Sequence, residues 1–194
     1  MPLTTLDPVT AIIVVDLQAG VVAIPGLEPS AASVVERSVE LLDAFRGHGL
    51  PVVLVNVDAG APGRTDRSAA GGVAASVARP DGWAELVPEL KAQPSDLRVT
   101  KKTWGAFHGT GLAKQLRELG VTQVVVVGIS TSSGVESTAR QAHEHNLNVT
   151  IATDAITDSS AAAHANSIAE IFPKLGETGT TAEILALLEA TRRG

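Results

Sequence analysis

The segment Gln123–Arg140, with the sequence QVVVVGISTSSGVESTAR, decides the predicted fold. Its β-branched run Val124–Val127 has no polar interruption, as expected for a strand buried on both faces of a sheet. Gly128 ends this run, and the small residues after it, several with hydroxyl groups, favour a tight turn. Apolar residues then recur at helical spacing. The segment therefore predicts a strand, a turn and the start of a helix.

The start of this helix is the first candidate site. Ser133 and Glu136 have the spacing of a capping box, which predicts that the helix begins at Ser133. Backbone N–H groups at a helix start are unpaired, so those near Ser133 and Gly134 are candidates to hold an oxygen anion. Ser130 and Thr131, in the same turn, are candidate substrate-binding residues. An ordinary turn, in which glycine and serine are simply favourable, is the alternative.

The rest of the chain alternates between strand and helix patterns. Apolar, mostly β-branched runs predict further strands at Ala11–Val15, Pro51–Val57, Leu97–Thr100 and Asn148–Ala152. Amphipathic stretches predict helices, including one capped by Ser30, one over Ser159–Leu175 and one that begins with a capping box at Thr180 and Glu183. This alternation indicates right-handed βαβ units and a parallel sheet covered on both faces. The length of 194 residues favours a single domain over residues 1–194.

Composition excludes several classes of function. The formal net charge of −6, without a large basic cluster, argues against a nucleic-acid or membrane surface. The chain has no cysteine, which excludes disulfides, thiolate metal sites and a thiol nucleophile. The N-terminus lacks a basic region and its apolar run breaks at Asp16, so we expect a cytoplasmic protein without signal peptide or membrane span. Glycine motifs for dinucleotides or nucleoside phosphates are absent from the sequence.

Two further features stand out against a core of aliphatic residues. Residues 58–81 are rich in Gly, Ala, Pro and Arg without a clear period, and this length predicts a functional or mobile excursion. Aromatic residues make up only 3% of the chain, so each one is informative. Trp104 and Phe107 are candidate pocket walls, and contacts in the core or in a dimer are the alternative.

Three ordered segments together resemble the isochorismatase-like hydrolase superfamily, which includes isochorismatases, nicotinamidases and N-carbamoylsarcosine amidases. They are VVDLQ at Val14–Gln18, TKKTWGAFHGTGL at Thr100–Leu112 and VVVVGISTSSGVESTARQA at Val124–Ala142. The resemblance implies a three-layer α/β/α, Rossmann-like fold with a mainly parallel six-stranded sheet, and a homo-oligomer. It also implies a non-proline cis peptide in the turn Gly128–Thr131.

The resemblance implies three catalytic positions in this chain, and at one of them the sequence departs from the family. The family has an Asp after the first strand, a Lys after the third and a Cys at the helix start after the fourth. Asp16 matches the first, and Lys101 matches the second with Lys102 as a neighbouring alternative. The cysteine position falls on Gly134. Gln18, two residues after the Asp, is a further candidate for substrate binding.

The missing thiol changes the expected chemistry. A cysteine amidase mechanism needs a thiolate, whereas hydrolysis of a vinyl ether needs an acid. The resemblance therefore implies that Asp16 is a general acid/base whose pKa is raised by burial, with Lys101 holding a substrate carboxylate. Ser132 or Ser133 as substitute nucleophiles stay open.

We expect a hydrolase of a small anionic or amide-bearing molecule, without a cofactor. No metal is expected either, because the nicotinamidase pattern Asp-x-His-x-x-His falls on Asp58 and a stretch without histidine. The alternatives are a non-catalytic small-molecule binding protein that has lost the nucleophile and, third, a scaffold whose oligomer surface is its function.

Overall fold

A computed structural model of the protein describes residues 3–58 and 79–191. Its sheet contains six strands, and every neighbouring pair is parallel. The strands are Thr10–Val15 (β1), Val52–Val57 (β2), Leu97–Lys101 (β3), Gln123–Ile129 (β4), Asn148–Thr157 (β5) and Glu177–Gly179 (β6). Their order in the sheet is β3-β2-β1-β4-β5-β6. The predicted α/β fold with a parallel six-stranded sheet is confirmed.

Helices connect the strands. The α-helices are Ala19–Val22 (α1), Ala31–Gly47 (α2), Leu112–Glu118 (α3), Glu136–Glu144 (α4), Ala161–Asn166 (α5), Phe172–Leu175 (α6) and Thr181–Thr191 (α7). A short 3₁₀ helix covers Pro88–Leu90, and π-helical turns cover Thr131–Val135 and Ser167–Ile171. Most of the predicted excursion over 58–81 lies outside the described residues. Among the described residues, no helix is both long and apolar enough to cross a membrane.

The central strand β1 is buried along its whole length, because helices cover both faces of the sheet. Side chains alternate between the faces. Ile13 and Val15 belong to one apolar cluster together with residues of α3 and α4. Ile12 and Val14 belong to the other, together with residues of α2 and α7. This arrangement gives three layers, with a core on each side of the sheet.

The strand order places a topological switch point at β1 and β4. The chain runs outward from β1 to β3, and then returns to the other side of β1 with β4. In open α/β sheets such a point forms a crevice at the carboxyl ends of the strands. Gly128 of β4 has φ +120°, and a Cβ added there would lie 2.0 Å from the Val15 carbonyl oxygen. Only glycine therefore lets β4 approach the end of β1, directly beside Asp16.

The predicted helix start at Ser133 is wrong. The π-helical turn Thr131–Val135 precedes α4, and Ser130 occupies its N-cap position. The Ser133 N–H donates to the Ser130 carbonyl (3.1 Å), which continues the turn instead of beginning a helix. Glu136 accepts a hydrogen bond from Arg140 rather than closing a capping box.

Other boundaries also differ from the prediction. Strand β5 continues to Thr157, and the helix predicted over Ser159–Leu175 is divided into α5, a π-helical turn and α6. By contrast, the Ser30 cap is confirmed, since its hydroxyl accepts from the Ser33 N–H (3.2 Å).

The capping box at Thr180 and Glu183 is also confirmed, by reciprocal hydrogen bonds of 2.7 and 3.3 Å. The predicted non-proline cis peptide is present between Ile129 and Ser130.

Candidate active site

Asp16 leaves β1 at the carboxyl edge of the sheet in an uncommon backbone conformation. Its φ of +53° lies in the left-handed region, which non-glycine residues adopt at a cost of about 1 kcal/mol or more. The strand ladder still holds it, because its N–H donates to the Val55 carbonyl (2.9 Å). The residue is only 5% exposed. The backbone therefore turns sharply at Asp16 and directs its carboxyl group inward.

The buried Asp16 carboxylate forms an ion pair with a buried lysine. Lys101 Nζ lies 2.7 Å from Asp16 Oδ2, and the lysine is 2% exposed. Lys101 is the last residue of β3, and its ammonium group also donates to the Thr103 carbonyl (3.2 Å). Lys102, the neighbouring alternative, is exposed. Two residues 85 positions apart (101 minus 16) are thus brought together, as the resemblance implied.

The environment of Asp16 raises the pKa of its carboxyl group. Burial raises its pKa from the ordinary 3.8 to about 6, although the charge and hydrogen bond of Lys101 act in the opposite direction. Its second oxygen, Oδ1, is buried and has no hydrogen-bond partner among the described residues. Buried carboxyl oxygens are normally paired, so this oxygen is suited to a polar group of a ligand.

Gly134 lies against this carboxyl group. A Cβ added at Gly134 would be 3.1 Å from Asp16 Oδ2 and 3.3 Å from the Ile129 carbonyl oxygen. A side chain at this position would therefore point at the Asp16 carboxylate. The Thr138 hydroxyl donates to the Gly134 carbonyl (2.6 Å) and fixes the glycine at the start of α4. Asp16, Lys101 and Gly134 therefore lie together at the carboxyl edge of the sheet.

The hydroxyl groups of the turn contact residues that sequence reasoning missed. Thr131 is fully buried, with Oγ1 2.8 Å from His164 Nδ1. Ser132 donates twice to Asp158 Oδ2, from its N–H (2.8 Å) and its hydroxyl (2.7 Å). Asp158 directly follows β5 as the structure defines it and His164 lies in the next helix, but the fifth strand predicted from the sequence ends at Ala152 and so gave no signal for either residue.

The backbone amide of Ser133, which was expected to bind an oxygen anion, is already used, and so is that of the preceding Ser132. The Ser133 N–H donates to the Ser130 carbonyl, and the Ser132 N–H donates to Asp158. The prediction of free amides at Ser133 is thus wrong, and Gly134 stays a candidate donor. Ser130 and Ser133 are partly exposed, whereas the Thr131 hydroxyl faces His164.

The Gln18 side chain links the backbone at Val57 to the backbone at Trp83. It is fully buried, and its amide donates to the carbonyls of Val57 (3.0 Å) and Trp83 (3.2 Å) and accepts from the Val57 N–H (2.7 Å). We therefore assign Gln18 a structural role rather than a role in substrate binding.

The two candidate aromatic walls have different surroundings. Phe107 is buried in the cluster of α3 and α4, and its ring centroid lies 5.3 Å from that of His145. Trp104 is 59% exposed. Phe107 is therefore a core residue, whereas Trp104 is free to meet a ligand or a partner. Within residues 3–58 and 79–191, no group of three or more His, Asp or Glu side chains is arranged to hold a metal ion.

The sequence matches the model of the isochorismatase domain over residues 10–183, and the chain belongs to this family. YwoC of Bacillus subtilis, an isochorismatase family protein of uncharacterised activity, is 41% identical over 182 residues, covering 91% of this chain and 92% of YwoC. RutB of Agrobacterium fabrum, a ureidoacrylate amidohydrolase, is 30% identical over 165 residues, covering 73% and 72%.

A solved structure agrees with the fold. An isochorismatase family protein from Burkholderia thailandensis is 41% identical and superposes with a TM-score of 0.88, over 95% of this chain and 98% of its own. The protein is therefore an isochorismatase-family hydrolase by sequence and by architecture.

Proposed function

We propose that this protein hydrolyses a small vinyl ether, with Asp16 as the general acid. The observation that carries the proposal is a buried carboxyl group, with a pKa of about 6, paired at 2.7 Å with Lys101 at the switch point of the sheet. A general acid works best when its pKa lies near the working pH, and an ordinary aspartate is too acidic for that.

The chemistry needs no side-chain nucleophile. Protonated Asp16 transfers its proton to the terminal carbon of the vinyl ether, and the ether oxygen stabilises the resulting oxocarbenium ion. Water adds to the cationic carbon and loses a proton to the Asp16 carboxylate. The hemiketal then breaks its C–O bond to give an alcohol and a carbonyl compound. Lys101 holds a substrate carboxylate, and the Gly134 N–H is the candidate donor to a substrate oxygen.

A thiol-dependent amidase is excluded by the sequence. The RutB relatives are ureidoacrylate amidohydrolases, but the present chain contains no cysteine. Glycine at position 134 instead leaves the space beside Asp16 without a side chain. This difference favours acid-catalysed cleavage over attack by a protein nucleophile.

The alternative is a binding protein that kept the site and lost catalysis. It is favoured by Asp16 Oδ1, which has no hydrogen-bond partner in the part of the chain that the structure describes and which a ligand N–H or O–H would satisfy without any reaction. The two functions share the same residues and differ only in turnover.

The test measures turnover of a panel of enolpyruvyl ethers by wild type and Asp16→Asn. Loss of a general acid lowers the rate by about 10²- to 10⁴-fold. We therefore expect kcat/KM to fall by at least about 10²-fold. The matched control is Asp96→Asn, because Asp96 also forms a buried 2.7 Å ion pair, with Arg46, outside the site. The control keeps its kcat/KM if the folded fraction is equal.

The outcomes separate the two functions. Turnover that persists in Asp16→Asn contradicts the assignment of the acid. If the wild type turns over no ether, but one of them raises its Tm and Asp16→Asn abolishes that shift, the binding function replaces the hydrolase.

A further inference from the structure

The turn Thr131–Val135 is attached to Asp158, which directly follows β5, and to His164 of α5. Ser132 donates two hydrogen bonds to Asp158, at 2.8 and 2.7 Å, and Thr131 Oγ1 lies 2.8 Å from His164 Nδ1. Asp158 is 5% exposed and Thr131 is fully buried. These are two independent attachments to one short turn, and neither belongs to the set of Asp16, Lys101 and Gly134.

Asp158 is a fixed, charged acceptor. Burial acts to raise its pKa, but hydrogen bonds from the backbone and hydroxyl of Ser132 and from the backbone of Ser160 together hold the pKa below the ordinary value. The Ser160 N–H donates to Oδ1 (3.1 Å), while Ser132 occupies Oδ2. Both carboxylate oxygens are thus used, so Asp158 anchors the turn with charge-assisted hydrogen bonds.

His164 supplies the second attachment as a neutral ring. Burial lowers its pKa below 6.5, although the charge of Asp158 acts to raise it. The fully buried Thr131 hydroxyl needs an acceptor, and Nδ1 at 2.8 Å provides one. We therefore assign the hydroxyl as the donor to Nδ1, with the ring proton on Nε2.

The inner side of the same turn covers Asp16. A Cβ built on Gly134 would lie 3.1 Å from Asp16 Oδ2, so the turn backbone is part of what excludes water from the carboxyl group. A π-helical turn is an irregular element, and tertiary contacts must hold it in place.

We propose that Asp158 and His164 are positioning residues. They hold the turn Thr131–Val135 against Asp16 and so keep water away from the Asp16 carboxyl group. They act through Ser132 and Thr131 and do not touch the reacting atoms. The proposal rests on the proposed function for its consequence, an acid active near neutral pH. Its test needs no substrate. The positioning role can therefore be decided even if the protein turns over none of the ethers tested.

The experiment is a carbon-13 NMR titration of the Asp16 carboxyl group, assigned with Asp16→Asn. Thr131→Val and His164→Leu each remove the hydrogen bond between turn and ring, while His164→Asn keeps an acceptor for the Thr131 hydroxyl. Water admitted beside Asp16 reduces the effect of burial, so its pKa falls. We expect a decrease of about one unit or more in the first two variants and less than about 0.3 in His164→Asn.

The control and the charged surroundings are defined by the structure. His48→Asn alters a histidine bonded to Glu189 (3.2 Å) at the far end of α2, and it leaves the Asp16 pKa unchanged. Lys101 is the charged group within ion-pair distance of Asp16 in the described residues, and every variant retains it. An Asp16 pKa in Thr131→Val and His164→Leu equal to that of wild type overturns the role of His164.

A second measurement tests Asp158 and does not depend on the titration. Asp158→Asn removes the charge that holds the Ser132 amide, so hydrogen exchange of this amide accelerates by at least about tenfold at unchanged global stability. If the variant is folded and its Ser132 amide exchanges at the wild-type rate, Asp158 does not hold the turn.

Discussion

Replacing the buried ion pair by neutral residues removes a specific pH dependence from the stability of this protein. In wild type the pKa of Asp16 is about 6 instead of the ordinary 3.8. The folded state therefore keeps a proton that the unfolded state loses between these values. The extra proton on folded Asp16 stabilises the protein in full below about pH 3.8. This contribution to the free energy of unfolding decreases as pH rises and is lost above about pH 6. The difference of about two units corresponds to about 3 kcal/mol.

The variant that isolates this effect is Asp16→Asn combined with Lys101→Met. Asp16→Asn alone would leave the Lys101 ammonium buried without its counter-charge, at a cost of about 3–5 kcal/mol that obscures the result. Urea denaturation of wild type and double variant is measured from about pH 4 to about pH 7.5. The stability of the double variant relative to wild type should rise by about 2.4 kcal/mol across this range, because part of the effect is already lost at about pH 4.

The comparison can refute the reasoning. A difference between the two proteins that is constant within about 0.5 kcal/mol would mean that Asp16 does not gain a proton on folding. The pKa of the carboxyl group would then stay at its ordinary 3.8 in the folded state, too acidic for a general acid that works near about pH 6.

Three further substitutions test the site. Gly128 has φ +120°, and Gly128→Ala places a methyl group 2.0 Å from a carbonyl oxygen of β1. We expect the variant to lose about 3–5 kcal/mol of stability in urea denaturation. A loss below about 1 kcal/mol would contradict the close approach of β4 to β1. Gln18→Leu leaves buried backbone groups of Val57 unpaired and should cost about 2–4 kcal/mol by the same assay, whereas an unchanged midpoint would contradict its structural role. Gly134→Cys introduces the one thiol of the chain beside Asp16, and mass spectrometry should detect its alkylation by iodoacetamide in the folded protein; complete resistance would mean that small molecules do not reach this position.

The sequence predicts the sheet and the position of Asp16 for physical reasons. Strand β1 has an uninterrupted apolar run, and the end of such a run marks the carboxyl edge where parallel strands bring their following residues together. Asp16 follows this rule, whereas Lys101, the last residue of the mixed-polarity strand β3, was predicted from the resemblance to the family. The capping box at Thr180 and Glu183 is local, and so it is visible in the sequence.

Features that depend on tertiary contacts were not predicted. Strand β6 has three residues and no apolar run, so only pairing with β5 defines it. The capping spacing of Ser133 and Glu136 was misleading, because Glu136 binds Arg140 and Ser167 instead. The contact between Thr131 and His164 joins residues 33 positions apart on different elements, and no local pattern predicts it.

The most direct test of the central claim is the pH dependence of kcat/KM for an enolpyruvyl ether that the protein turns over. A general acid must carry its proton in the free enzyme, and the pKa of Asp16 is about 6. We predict that kcat/KM is constant below about pH 5.5 and falls about tenfold per unit above about pH 6.5. A value of kcat/KM that stays constant or rises between about pH 6 and 8 would contradict catalysis by a protonated Asp16.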